Sequence, residues 1–374
     1  MTDWIRTPQD LARLADELRG CRALALDSES DSLYHHFDKV CLLQVATERG
    51  SACLVDPLSL RDLSPLAPFL ADPAVTKVLH GADYDVTTLK RDFGFSFDGL
   101  FDTMIAARFL GFPEIGLQSV ARRELQVELS KTSQKDDWSR RPLTSTQEAY
   151  ALSDVRHLLG LRSRLEEQLE ARGRLAWVHE ECAAVAALEP ARRRKDADAY
   201  LKAKGARRLS PRSLAVFREL FAWREARAEA TDIPVFKIAG NETLLAMATA
   251  APTTREALAG LRLGGRLLEH AGALLAAVER GLAVPDGELP RVPREPRPFV
   301  PDEVRRRTDA LRAWRARKAE AEKLDASVIL PQRLIDQLAE VAPRDASALE
   351  RVEGLRRWRI ESFGEELVRL AGAA

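Results

Sequence analysis

Ala23-Leu24-Ala25-Leu26-Asp27-Ser28-Glu29 is the stretch on which the fold turns. Four apolar residues ending abruptly at a charged one read as a short strand. Successive side chains on a strand alternate, so Asp27 and Glu29 point to one side and offer two carboxylates together at its end. A lone Asp-x-Glu is weak by itself, because surface acids at that spacing are common.

Working outward, Val40–Ala46 and Ala52–Val55 are two further apolar runs around the turn-like Glu48-Arg49-Gly50. Together the three runs predict a meander. Before it, Leu11, Leu14, Ala15 and Leu18 predict a helix over 8–20, with Gly20 as its stop. After it, helical spacing over Leu58–Leu70, a strand over Thr76–His80 and a helix over Asp83–Phe93 predict an α/β layer with a mixed sheet. Thr144 followed by Gln147 is a capping box. The helix it opens runs towards Gly173, with a break near Gly160.

The second half reads as almost wholly helical and repeats itself. Trp223 and Trp314 stand 91 positions apart, as do Ala257-Leu258 and Ala348-Leu349. Asn241–Leu245 matches Pro331–Ile335 at an offset of 90. Two copies of one small helical domain explain this. Between them, 285–301 holds six prolines in 17 positions, a semi-rigid extended linker whose composition predicts independent domains.

The chain has 374 residues and zero net charge. Residues 1–180 carry 22 Lys/Arg against 28 Asp/Glu, and residues 181–374 carry 35 against 29. An acidic first half and a basic second half fit a metal site joined to a module that grips a polyanion. Arg192–Arg218 concentrates ten Lys/Arg. No apolar run reaches the roughly 18 residues of a membrane helix, and the start lacks a signal pattern, so a cytoplasmic protein is expected. Cys21, Cys41, Cys53 and Cys182 form no CxxC and have no His at zinc spacing, so they read as buried thiols and no zinc site is expected.

Two more elements carry acids. His80-Gly81-Ala82-Asp83-Tyr84-Asp85 follows a strand and opens a helix, where acids are also favoured by the helix dipole. Asp83 and Asp85 compete there on position alone. Tyr150 and Asp154 lie one turn apart on one helix face. Asp102 reads as a helix cap. Lys131, Trp138 and Arg141 are further candidates for a functional site, with core or surface roles equally open.

In this order and spacing the three elements resemble the DEDD exonuclease superfamily, in its tyrosine branch. Ala25–Glu29, Leu79–Asp85, Phe101-Asp102-Thr103 and Asp137–Leu143 narrow the resemblance to the ribonuclease D family, and the repeats resemble its tandem HRDC domains. The resemblance covers nearly the whole chain. One departure is Ala151-Leu152-Ser153, where the family often has smaller residues.

The resemblance implies a 3′→5′ exoribonuclease that trims small stable RNAs, with tRNA precursors first among them, and releases nucleoside 5′-monophosphates. It implies two divalent ions, Mg²⁺ or Mn²⁺, held by Asp27, Glu29, Asp85 and Asp154. Asp27 would bridge both ions, and Glu29 and Asp154 would complete the one that activates water. Asp85 would hold the other, and Tyr150 would orient the attacking water. The family register favours Asp85 over Asp83. Four carboxylates suit hard divalent cations, and two such ions serve the nucleophile, the phosphate and the leaving oxygen.

The expected fold is an α/β ribonuclease H-like exonuclease domain over 1–175, followed by all-α domains. A basic helical connector spans 176–208, HRDC-type domains span 209–284 and 302–374, and the linker 285–301 lies between them. A monomer is expected. DNA exonucleases share the superfamily fold, and HRDC domains occur on helicases, but no GxxxxGK[ST] loop is present. A non-catalytic nucleic-acid adaptor is the alternative from another class. It has to explain why all five catalytic-type positions are filled.

Overall fold

The computed structural model describes residues 3–130, 132–190, 196–261, 263–292 and 299–372. Lys131 and the opening of the basic cluster, 192–195, lie outside the described residues. The chain divides into two compact units. One holds Met1–Ser30, Val40–Ala191 and Phe299–Ala374, and the other holds Asp31–Lys39 with Arg192–Pro298.

In the first unit the chain runs β1 (Asp3–Ile5), α1 (Pro8–Leu18), β2 (Ala23–Ser30), β3 (Val40–Thr47), β4 (Ala52–Val55), α2 (Ala67–Ala71) and β5 (Thr76–Leu79). It continues α3 (Asp83–Phe93), β6 (Leu100–Asp102), α4 (Thr103–Phe109), α5 (Leu117–Leu125), α6 (Ser145–Arg156), α7 (Leu158–Ala171) and α8 (Leu175–Ala186). The strands form one mixed sheet in the order β1-β4-β3-β2-β5-β6. β2, β3 and β4 pair antiparallel as a meander, whereas β5 runs parallel to β2 and β6 to β5.

Local chemistry explains most of these elements. Thr7 caps α1 by a reciprocal box with Asp10, and Leu11, Leu14 and Leu18 are buried beneath it. β3 is buried along its whole length, as expected for a central strand covered on both faces. On one face Leu42 and Leu54 pack with Trp138, Leu143, Tyr150 and Leu152. On the other, Leu43, Val45 and Val55 belong to the main core with Leu14, Leu66 and Leu89.

Two local expectations change, and two short strands are added. Leu58–Leu70 is a helix only from Ala67, after a 3₁₀ turn at Ser64–Leu66. Pro65 and Pro68 remove amide hydrogens that a continuous helix needs in its interior. The break expected near Gly160 falls at His157, which closes α6 and opens α7. β1 and β6 have three residues each, too few for a periodic signal.

The repeat is real in three dimensions. Helices Pro211–Thr231 and Asp302–Glu322 each have 21 residues and end on left-handed caps, Asp232 and Lys323. Arg224 donates to the Ala239 carbonyl at 3.2 Å, and Arg315 donates to the Leu330 carbonyl at 3.2 Å. Helix Asn241–Ala250 corresponds to Gln332–Val341. Asn241 therefore matches Gln332, and the offset of 90 gives way to 91.

The linker's composition predicts an independent second copy, and the structure differs. That copy shares the main hydrophobic core of the sheet-bearing unit. Trp177 of α8 stacks on Trp358 with ring centroids 4.4 Å apart. The Glu180 carboxylate accepts the backbone N–H groups of Arg357 and Trp358, at the start of helix Arg357–Gly372. Glu181 pairs with Arg359 at 2.7 Å, and buried Arg174 donates to the Phe109 carbonyl and to Glu322. Gly111 has φ +74°, and a Cβ there would stand 2.2 Å from the Lys323 carbonyl oxygen. Proline-rich composition governs the linker alone. Burial of α8's indole and ion pairs governs where the second copy sits.

Candidate active site

β2 delivers Asp27 and Glu29 on one face, opposite Gln44 and Leu42 of β3, and the ladder shifts register just after Glu29. α6 lies over that face. Its capping box, Thr144 with Gln147, is present, a device that contributes about 1 kcal/mol. Tyr150 and Ala151 are buried against Leu42, Leu54 and Trp138. The Tyr150 and Trp138 rings lie 6.1 Å apart. Asp154, one turn beyond Tyr150, thereby meets the strand acids. Ligand oxygens of Asp27, Glu29 and Asp154 all lie within 4.8 Å of one another.

Asp85 joins from α3. It is buried, whereas Asp83 in the same turn is exposed. The Ser28 hydroxyl donates to Asp85 at 2.5 Å, tying α3 to β2. Asp102 holds α3 from behind. Its carboxylate accepts the N–H groups of Gly81 and Ala82 before α3, and those of Met104 and Ile105 at the start of α4. It is thus a cap, as its position predicts, and also a brace between two helix starts.

The other candidates take structural places. Trp138 is buried behind Tyr150. Arg141 grips Asp56 with two bonds, at 2.9 and 2.8 Å, and donates to the Cys41 carbonyl. All four cysteines are free and buried.

Residues 2–170 match a family model described as 3′-5′ exonuclease, and residues 213–278 and 305–370 each match the HRDC domain. The ribonuclease D of Granulibacter bethesdensis is 32% identical over 98% of this chain and 91% of its own length. That of Pseudomonas paraeruginosa is 33% identical over 98% and 96%. The chain belongs to the ribonuclease D family. It is a 3′-5′ exoribonuclease, with an α/β exonuclease domain and HRDC domains. The crystal structure of Escherichia coli RNase D superposes with a TM-score of 0.71 at 30% identity, covering 99% of this chain and 98% of that one. The catalytic core of RRP6 from Trypanosoma brucei gives 0.68 at 30% identity, over 75% and 80%.

The electrostatics of this cluster are those of a cage of acids. Burial first, then Asp85, Glu29 and Asp154, push the Asp27 carboxyl far above its ordinary range. Burial, Asp154, Asp85 and Asp136 push Glu29 up to about 9. Burial pushes Asp154 up to about 7 against hydrogen bonds from Tyr150 and Ser153. It pushes Asp85 up to about 6 against the bond from Ser28. Tyr150 is driven upward by burial and then by Asp154, Glu29 and Asp27. Its hydroxyl keeps its proton at any ordinary pH.

The donor set fits a hard divalent cation, since every donor is a carboxylate oxygen. Burial is the strongest influence on each acid, and neighbouring acids come next at Asp27 and Glu29, a balance that a cation reverses. Motif order singled out five candidate residues in the sequence, and the structure brings Asp27, Glu29 and Asp154 together. Motif order missed Ser28 and the bracing role of Asp102, because both depend on contacts between separate elements.

Proposed function

We propose that this chain hydrolyses the 3′-terminal phosphodiester of structured RNAs, with tRNA precursors as the leading class, using divalent cations held by Asp27, Glu29, Asp85 and Asp154. The observation that carries the reading is the convergence of three carboxylates within 4.8 Å beside a buried tyrosine. Two ions, Mg²⁺ or Mn²⁺, are the expected complement. When bound, they supply electrostatic stabilisation to the nucleophile, the scissile phosphate and the leaving 3′-oxygen.

The chain's own residues do the rest. Water adds to the terminal phosphorus, the bond from phosphorus to the penultimate 3′-oxygen breaks, and that oxygen gains a proton. The products are a nucleoside 5′-monophosphate and an RNA one residue shorter. Tyr150 suits positioning of the water by hydrogen bonding, because a phenol that holds its proton is a poor base. Trp138 keeps its ring in place. Ser28 and Asp102 keep Asp85 aimed at the strand acids.

The test offers 5′-labelled RNA and DNA strands, with and without a tRNA-like fold, in EDTA, Mg²⁺ or Mn²⁺. Stepwise shortening of RNA with the metals, and mass-identified 5′-monophosphates, are expected. Asp27→Asn should lower turnover roughly 10²–10³-fold, the usual size of such electrostatic losses. Undiminished hydrolysis in EDTA would sink the metal reading, and equal turnover of DNA would sink the substrate reading.

A further inference from the structure

Gln44 sits in the middle of β3, directly across from Asp27 on β2 and from Leu54 on β4. Its side chain is fully buried, and neither its amide nitrogen nor its amide oxygen has a hydrogen-bond partner. An unpaired buried amide is unfavourable, because it gives up its hydrogen bonds to water and gains none in return. Every other residue of β3 from Val40 to Ala46 is aliphatic or cysteine. A leucine or methionine at position 44 would pack as well and leave nothing unpaired.

The position in the ladder shows where an amide would be of use. Residues directly opposite on antiparallel strands share a face, with Cβ atoms roughly 4.5–5.5 Å apart. The Gln44 side chain therefore rises on Asp27's face, the one that α6 covers with Tyr150. Two methylenes and an amide span that separation.

We propose that Gln44 is a positioning residue for Asp27, its Nε2–H group donating to the Asp27 carboxylate when that carboxylate holds a cation. The carboxylate then presents a fixed oxygen to the cation. Hydrogen bonds to ligating carboxylates commonly set metal affinity in this way. The unpaired amide lowers the stability of the metal-free fold and raises the affinity of the loaded site. The inference rests on reading the acidic cluster as a metal site.

The experiment compares the full-length chain with Gln44→Met, Gln44→Leu and Asp27→Asn. Mn²⁺ binding is measured by calorimetry at fixed pH without RNA, and thermal denaturation is measured in EDTA. Both apolar variants should melt in EDTA at or above the parent temperature and bind Mn²⁺ roughly 10–100-fold more weakly. A merely structural amide would move the melting temperature and leave Mn²⁺ affinity alone. Parent-like Mn²⁺ affinity in both variants overturns the proposal. So does failure of both to fold in EDTA, since the amide would then support the metal-free core. Equal Mn²⁺ binding by the parent and Asp27→Asn would instead overturn the metal site itself, and the role of Gln44 with it.

Discussion

The Ser28 hydroxyl donates a 2.5 Å hydrogen bond to Asp85, across 57 positions of sequence. The strand that carries Asp27 and Glu29 is thereby latched to the helix that carries the fourth acid. The bond opposes the burial that raises the Asp85 carboxyl. Ser28→Ala should leave the fold intact and weaken Mg²⁺-dependent turnover roughly 10-fold or more, as removal of a bond to a ligating group does. Unchanged turnover across a Mg²⁺ titration would show that the latch is dispensable.

The acid cage predicts an unusual pH dependence for the metal-free protein. Unfolded carboxyls titrate near 4, whereas folded Asp85, Asp154 and Glu29 titrate at about 6, 7 and 9. Between those limits the folded state holds protons that the unfolded state has released. Stability from these groups is complete below about pH 4 and falls as pH rises through each folded value. Asp136 adds repulsion at Glu29, and Asp102 adds it at Asp85. Melting temperature in EDTA should drop from pH 5 to 9, less steeply for Asp27→Asn and least with Mg²⁺ present. A melting temperature that rises over this range in EDTA would refute the self-repelling cage.

Tyr150→Phe keeps the ring that packs on Trp138 and removes only the hydroxyl. kcat should fall roughly 10–100-fold with KM little changed, the pattern of an interaction made chiefly in the transition state. Burial and three acids hold the phenol's proton, so the parent's pH–rate profile should show no alkaline limb owed to Tyr150 below pH 10. Equal kcat in both proteins, with chemistry rate-limiting, would remove Tyr150 from the mechanism.

The second repeat belongs energetically to the catalytic unit. Burial would raise Glu181, yet Arg359 and Trp358 hold its carboxyl below its usual value. Arg359→Ala breaks a pair with only 6% and 19% side-chain exposure, which destabilises by about 3 kcal/mol. Cutting the chain after residue 292 should lower the denaturation midpoint further, because Trp177 then has no indole to stack on. A truncated protein with the parent's midpoint would show that the second repeat is merely tethered.

RNA grip is better tested by charge than by truncation. Lys204, Arg207 and Arg208 are exposed within the described part of the basic cluster. Removing one cation that pairs with a phosphate lowers the slope of log K against log salt by about 1. The triple alanine variant should weaken binding of a tRNA-like RNA, flatten that slope by up to about 3, and leave the turnover of a short oligomer at saturation nearly unchanged. An identical slope would move the grip elsewhere.

Sequence alone determined the parts whose physics is local. Alternation on β2 paired Asp27 with Glu29, one helical turn paired Tyr150 with Asp154, and Thr144 announced its helix through a capping box with Gln147, three positions on. Repetition at 91 residues announced two copies of one domain, and the structure then shows matching left-handed caps at Asp232 and Lys323. Tertiary structure decided whatever depends on residues far apart meeting. Asp83 and Asp85 compete on position in the sequence, where only the family register favours Asp85, and burial beside Ser28 separates them physically. Gln44 reads as one polar residue in an apolar strand until its place opposite Asp27 is seen. The second repeat reads as a tethered module until Trp358 is found on Trp177 and Glu181 on Arg359, 178 positions apart. Such contacts leave no periodic trace, because their energy comes from excluding water between surfaces that the chain brings together only on folding.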